Sequence, residues 1–246
     1  MKQAKDRIIF PLDVATIEAA KKYIGWLAER VGLFKVGLEL FLAEGRDFLH
    51  YMSEAVPSGF FLDLKFHDIP ATVRGAQQQV LTGVKLLTIH VDQGRKLLTT
   101  TVAAVHEGVK VLGVTLLTSL DREDLLAMGI NPRYAVDPPT ELVLLRARLA
   151  KEAGCSGVVC AGTEARAVKD EFGEDFLVVC PAIRPQWAAV PGDDQKRVMT
   201  PYEAMLAGAD YVVVGRPIRL AADPVAAARR VVEEIRQGLA DRVGQT

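Results

Sequence analysis

The 246-residue chain is half hydrophobic and one quarter charged, with 30 Lys plus Arg against 31 Asp plus Glu and a formal net charge of -1. This composition excludes a disordered or fibrous chain, and the balanced charge provides no long-range field for nucleic acid, although it is compatible with a local anion pocket. No apolar run approaches the roughly 20 residues that span a bilayer, so no membrane association is expected.

Residues 1–9 carry charges at Lys2, Lys5, Asp6 and Arg7 and show no secretory signal. Cys155, Cys160 and Cys180 form no CxxC pair and lie in apolar segments, which reads as reduced core cysteines of a cytoplasmic protein. Along the chain, short apolar runs predict strands at 7–14, 33–38, 59–65, 86–91, 110–117, 157–161, 176–183 and 211–215. Helical spacing predicts amphipathic helices between them, at 16–31, 72–84, 95–107, 139–153 and 223–238. No Pro/Gly/Ser-rich linker or charge run interrupts this alternation, so residues 1–246 read as one α/β domain. An open doubly wound sheet and a closed barrel both satisfy it. About eight repeats in this length favour a (β/α)8 TIM barrel, and the first strand–helix turn, 11–16, lacks the glycine fingerprint of a dinucleotide fold.

Side chains alternate along a strand, so Asp63 and Lys65 project to one side while Leu62, Leu64 and Phe66 face the other. By the same parity Asp13 ends the first strand, and Lys35 lies near the end of the second with Phe34 and Val36 opposed to it. These charges therefore gather at the C-terminal mouth, where the loops of a (β/α)8 barrel build active sites. An ion pair plugging the barrel is the structural alternative for Asp63 and Lys65. The additional charges Asp13, Lys35 and Asp68 favour a ligand site, because burying so many charges without one is costly. His90 and Asp92 share strand parity and Asp63 could lie nearby. That makes a metal site conceivable, yet no dense ligand motif or HxxxH spacing is present, and none is expected. His67 is expected to orient the loop that carries Asp68. Asp13 could instead cap the helix at 16–31, a role open also to Thr16. Thr118 and Ser119 before Asp121 read by themselves as a cap or turn.

Residues 61–73 read FLDLKFHDIPATV, and this segment resembles the active-site signature of orotidine 5′-phosphate decarboxylases. Its DxKxxD core is shared with the metal-dependent 3-keto-L-gulonate 6-phosphate decarboxylases and hexulose 6-phosphate synthases; the extension HDIP points to the orotidine branch. Further segments resemble the family in its order: PLDV at 11–14, FKVG at 34–37, VTLLTS at 114–119, PAIRP at 181–185, DDQKRVMTP at 193–201 and VVVGRPI at 212–218. Within PAIRP, Ala182 stands where many relatives place glycine.

The resemblance implies decarboxylation of orotidine 5′-phosphate to UMP, with no metal and no cofactor. It implies that Lys65 protonates C6, that Asp63 and Asp68 flank it, and that Lys35 completes an alternating charge network and reaches the ribose. Asp68 and Thr72 would act across a homodimer interface, giving two shared sites. Asp13 would bond the ribose hydroxyls and Thr118 would read the pyrimidine edge. A phosphate dianion needs fixed N–H donors and an arginine fork, and the loops after strands seven and eight contain Arg184, Gln195, Gly215 and Arg216. Gln195 resembles the residue bridging phosphate and pyrimidine, and 187–194 is a segment suited to closing over a ligand.

Overall fold

Eight parallel strands close on themselves in chain order: β1 (Ile8–Pro11), β2 (Leu33–Gly37), β3 (Phe60–Phe66), β4 (Val84–His90), β5 (Lys110–Val114), β6 (Gly157–Val159), β7 (Leu177–Cys180) and β8 (Tyr211–Val213). Closure is made by β1 against β8, with Ile8 opposite Val212 and Ile9 opposite Val213. The structure is a computed structural model and describes residues 3–79, 83–188 and 197–244. Helices alternate with the strands: α1 (Ile17–Leu27), α2 (Leu38–Ala55), α3 (Pro70–Gln77), α4 (Arg95–Ala104), α5 (Arg122–Ala127), α6 (Thr140–Glu152), α7 (Gly162–Phe172), α8 (Pro201–Leu206), α9 (Arg216–Arg219) and α10 (Pro224–Val243). The expected single-domain (β/α)8 architecture is the observed one.

The period of two along each strand sorts the core into two layers. Ile9, Leu33, Phe61, Leu86, Leu112, Val179 and Tyr211 pack together inside the barrel. Their alternates, among them Phe10, Phe34, Leu62, Leu87 and Val178, face outward into the larger core under the helices. Burying each such side chain is worth about 1.5–3 kcal/mol. Several predicted strands run past the ladder: 110–117 shortens to Lys110–Val114, although Leu116 is still buried. Apolarity reports burial, whereas strand membership also requires a hydrogen-bonded neighbour.

Local capping separates structural residues from those left to the mouth. The Thr16 hydroxyl accepts the Ala19 N–H at 3.3 Å and so caps α1, which leaves Asp13 out of that role. Asp121 caps α5, accepting the Asp124 N–H at 3.0 Å, so the cap after β5 is neither Thr118 nor Ser119. The predicted helix at 72–84 is corrected: α3 starts at Pro70, whose fixed φ suits a first helical position, and ends at Gln77. Val84 already belongs to β4, preceded by Gly83 at φ 97, a left-handed conformation that glycine adopts without steric cost. The three cysteines are buried and unpaired, and burial pushes the Cys155 thiol up to about 12, which leaves it a poor nucleophile. Among the described residues no helix is long and apolar enough to cross a membrane.

Candidate active site

The C-terminal ends of β1, β2 and β3 bring four charges into one line of contacts. Lys35 Nζ lies 3.2 Å from Asp13 Oδ1 and 3.5 Å from Asp63 Oδ2. Lys65 Nζ donates to the same Asp63 Oδ2 at 2.9 Å. Two aspartates thus balance two lysines. The Lys35 and Asp63 side chains are 11% and 10% exposed, whereas that of Lys65 is 30% exposed, so Lys65 is the more open of the two ammoniums. Burial by itself would raise the Asp63 carboxyl, but Lys35, Lys65 and the hydrogen bonds from Lys65 and Thr88 outweigh it and hold the group below the usual carboxylate range. Burial likewise works against the Lys35 ammonium, yet Asp63 and Asp13 outweigh it and hold the group above its ordinary value. Both groups are therefore charged at neutral pH. Gly37 lies beside them, and a Cβ there would stand 2.9 Å from Lys35 Nζ, so a side chain at this position would push the ammonium aside.

Lys65 reaches this position through irregular backbone. Its φ is 50°, in the left-handed region that costs a non-glycine residue on the order of 1–3 kcal/mol. The β3–β4 register shifts at the same place, between Leu62 and Phe66. The Lys65 backbone N–H donates to Thr88 Oγ1 at 3.0 Å, and the Thr88 hydroxyl donates to Asp63 Oδ1 at 2.9 Å. Sequence reasoning missed Thr88. Its signal was present: a hydroxyl residue inside the apolar run LLTI, on the inward parity of Leu86.

The four charges border a cavity of about 280 Å³. Phe61, Val114, Leu116, Val159 and Val213 supply apolar surface to it, Thr118 and Ser119 approach from the loop after β5, and Arg184, Gly215, Arg216 and Arg219 line it after β7 and β8. The cavity therefore runs from a charge-balanced floor to a cationic rim, an arrangement for a ligand with an anionic end. Gly215 packs against Pro11, whose Cγ would lie 2.8 Å from an added Cβ. Ala182, also in the lining, has φ 60, so the substitution for glycine falls at a left-handed position.

Of the remaining predicted residues, Asp68 and Thr72 do not line this cavity. Asp68 is exposed before α3, accepts the Ile69 N–H at 2.6 Å, and borders a separate cleft with His67, Ile69 and Gln93. Thr72 is exposed on α3. The charge network within one chain is thus Asp13, Lys35, Asp63 and Lys65, without Asp68. His67, expected to orient the loop that carries Asp68, has a 59% exposed side chain, its Nε2 3.9 Å from Asp92 Oδ1 and its ring 5.5 Å from that of His90. Gln93 holds the same loop by hydrogen bonds. Its Nε2 donates to the carbonyls of Phe66 at 2.7 Å and His90 at 2.9 Å, while its Oε1 accepts the Asp68 N–H at 2.9 Å.

Asp92 is engaged by Arg146 at 3.4 Å, and Arg146 also donates to the Thr115 carbonyl at 2.5 Å. Among the described residues no group of three His, Cys, Asp or Glu side chains could hold a metal ion. Gln195 lies outside the described residues, as do 189–194. Next to them, Trp187 Nε1 donates to Glu234 at 2.6 Å beneath the Arg230 guanidinium, and Arg197 donates to buried Glu164 at 2.8 Å and to the Leu117 carbonyl at 3.0 Å.

Fold and site together define a (β/α)8-barrel protein of the enzyme class, with a candidate active site at the C-terminal mouth that joins a lysine–aspartate network to three arginines. Residues 6–231 match the model of the orotidine 5′-phosphate decarboxylase / HUMPS family. The chain is 44% identical over 234 residues to the orotidine 5′-phosphate decarboxylase of Gloeothece citriformis, covering 94% of this chain and 97% of that protein. It is 42% identical over 241 residues to that of Desulfosudis oleivorans, covering 96% and 95%. The crystal structure of orotidine 5′-phosphate decarboxylase from Lactobacillus acidophilus superposes with a TM-score of 0.77 at 34% identity, over 93% of this chain and 98% of that one. The chain belongs to the orotidine 5′-phosphate decarboxylase / HUMPS family.

Proposed function

We propose that this protein is a cytoplasmic carboxy-lyase that converts orotidine 5′-phosphate to UMP and CO2, as a homodimer and without metal or cofactor. The observation that carries the reading is the single cavity that joins the Lys35–Asp63–Lys65 network to Arg184 and Arg216. Losing CO2 from C6 of orotidylate leaves a vinyl carbanion that no adjacent carbonyl delocalises as an ordinary enolate. A cation beside C6 is the chemical requirement. Lys65 is the more open ammonium of the network; in this reading it stabilises the developing charge and then delivers its proton to C6.

Asp63 and Asp68 flank that lysine and face the substrate carboxylate, where like charge disfavours the ground state. Asp13 and Lys35 bind the ribose hydroxyls, Thr118 reads the pyrimidine edge, and Arg184, Gly215, Arg216 and Gln195 take the phosphate. Asp68 and Thr72 belong to the site of the partner subunit, a reading supported by the fact that neither lines the cavity of its own chain.

The test is the loss of orotidylate absorbance with purified, EDTA-treated protein. Turnover is expected, and a folded protein with none overturns the proposal. The shared sites have their own check. Mixtures of Lys65→Ala and Asp68→Ala chains are expected to regain activity through heterodimers with one intact site. Absence of rescue despite demonstrated subunit exchange would count against Asp68 acting across the interface.

A further inference from the structure

The β3–β4 pairing contains an irregularity that falls on the reacting residues. Leu62 pairs with Leu87 and Phe66 with Ile89, so the three residues Asp63, Leu64 and Lys65 stand opposite the single residue Thr88. A regular parallel ladder would offer the Lys65 N–H a backbone carbonyl of β4. Instead it donates to the Thr88 hydroxyl oxygen at 3.0 Å, with the backbone of Lys65 turned into the left-handed region. The proton of the same hydroxyl goes to Asp63 Oδ1 at 2.9 Å. Thr88 is fully buried, so the protein itself must supply both partners.

This double use constrains the lysine from both ends. With Asp63 Oδ1 taken by Thr88, Oδ2 is the oxygen presented to the ammoniums of Lys65 at 2.9 Å and Lys35 at 3.5 Å. The carboxylate therefore cannot rotate freely between them. At the other end, the hydrogen bond to the Lys65 N–H supports the unusual backbone from which the side chain departs. One atom that both donates and accepts is needed at this point. A hydroxyl meets that need, a valine of the same shape offers neither function, and a thiol offers both weakly.

We infer that Thr88 is a positioning residue for the reaction, a hydroxyl that fixes the Asp63 carboxylate and the Lys65 backbone together and thereby aims the Lys65 ammonium. The inference rests on the decarboxylase reading of the site. A misplacement of about 1 Å can cost on the order of a hundredfold in rate, so the effect belongs in kcat rather than in ligand affinity.

The experiment compares wild type, Thr88→Val and Thr88→Ser by kcat and KM for orotidylate, by UMP affinity and by crystal structure. In Thr88→Val, kcat is expected to fall on the order of a hundredfold with UMP affinity little changed, while Thr88→Ser keeps most of the wild-type kcat. A Thr88→Val enzyme with wild-type kcat, or a Thr88→Ser enzyme as impaired as Thr88→Val, overturns the inference. If Thr88→Val does not fold, Thr88→Cys takes its place with the same loss expected, and a wild-type kcat there is equally fatal. The crystal structures make the result independent of the substrate assignment. An inactive wild type would refute the decarboxylase reading alone, whereas a Thr88→Val structure that retains the Lys65 backbone and its Asp63 contact would refute the positioning role alone.

Discussion

Lys65→Ala is expected to lower kcat for orotidylate by on the order of 10⁴-fold or more, since it removes both proton delivery and electrostatic stabilisation, each typically worth 10²-fold or more. UMP affinity should change by no more than about tenfold, about 1.4 kcal/mol, because Asp13, Lys35, Thr118 and the arginine rim are untouched. Folding is expected to survive. Asp63 retains Lys35 and the Thr88 hydroxyl, so the truncation does not leave an unpaired buried carboxylate. The measurement is steady-state turnover beside a UMP titration and thermal unfolding. It separates two accounts of the Asp63–Lys65 contact. A plug that merely stabilises the barrel would lose stability without a selective loss of kcat, and near-normal turnover of Lys65→Ala would dispose of the proton-donor role. Lys65→Arg adds a further distinction, since guanidinium keeps the positive charge but does not release a proton at ordinary pH. It too is expected to be severely impaired.

The second large effect is on stability. Asp63→Asn removes the negative charge that Lys35 and Lys65 share, and Lys35 is buried beside it. Deleting one partner of a buried charge pair costs about 3–5 kcal/mol when the other charge is left alone, but Lys35 keeps Asp13 at 3.2 Å, so about 1–3 kcal/mol is expected here. For a chain of this size each kcal/mol lowers Tm by about 2–4 °C, so a fall of roughly 2–12 °C is expected. Turnover should collapse as well, because the lysine loses its anchor.

The pH dependence of this stabilisation has a definite sign. Asp63 is held below the ordinary aspartate value of about 3.9, so its contribution is complete above that pH and is lost as pH falls through the depressed folded value. Lys35 is held above the ordinary lysine value of about 10.4, so its contribution is complete below that pH and is lost as pH rises through the raised folded value. The stability gap between wild type and Asp63→Asn, measured by urea unfolding, should therefore be level through the neutral range and narrow towards strong acid. A gap that widened as the pH fell would contradict the pairing.

Much of the site was legible because it depends on short-range rules. Side-chain parity placed Asp63 and Lys65 in the mouth, and the structure puts their charged ends 2.9 Å apart there. Arg184, Gly215 and Arg216 were likewise predicted on the loops after β7 and β8, and they border the same cavity. Parity did not reveal how Lys65 gets there. Regular alternation requires an ordinary strand, whereas the real backbone turns left-handed at Lys65 and leans on Thr88, which lies 23 residues further along. Gln93 had no signal at all. A glutamine after a strand is unremarkable until its amide is seen to hold Phe66, Asp68 and His90 at once. His67 carried a stronger local signal, next to Asp68 in the motif, and its contacts are with Asp92 and His90 at the end of β4.

By itself the sequence determined the eightfold alternation, the inward and outward faces of the strands, and that Asp13, Lys35, Asp63 and Lys65 lie at the mouth. All of these follow from periodicity and from interactions within a few residues. The tertiary structure alone decided that Asp63 Oδ2 serves two lysines, that Thr88 bridges Asp63 and Lys65, and that Asp68 borders a different cleft from Lys65 of its own chain. These facts depend on barrel closure and on a register shift between β3 and β4, which bring atoms from distant parts of the chain within hydrogen-bond reach. The Lys65 ammonium is thus specified locally as a charge and globally as a direction.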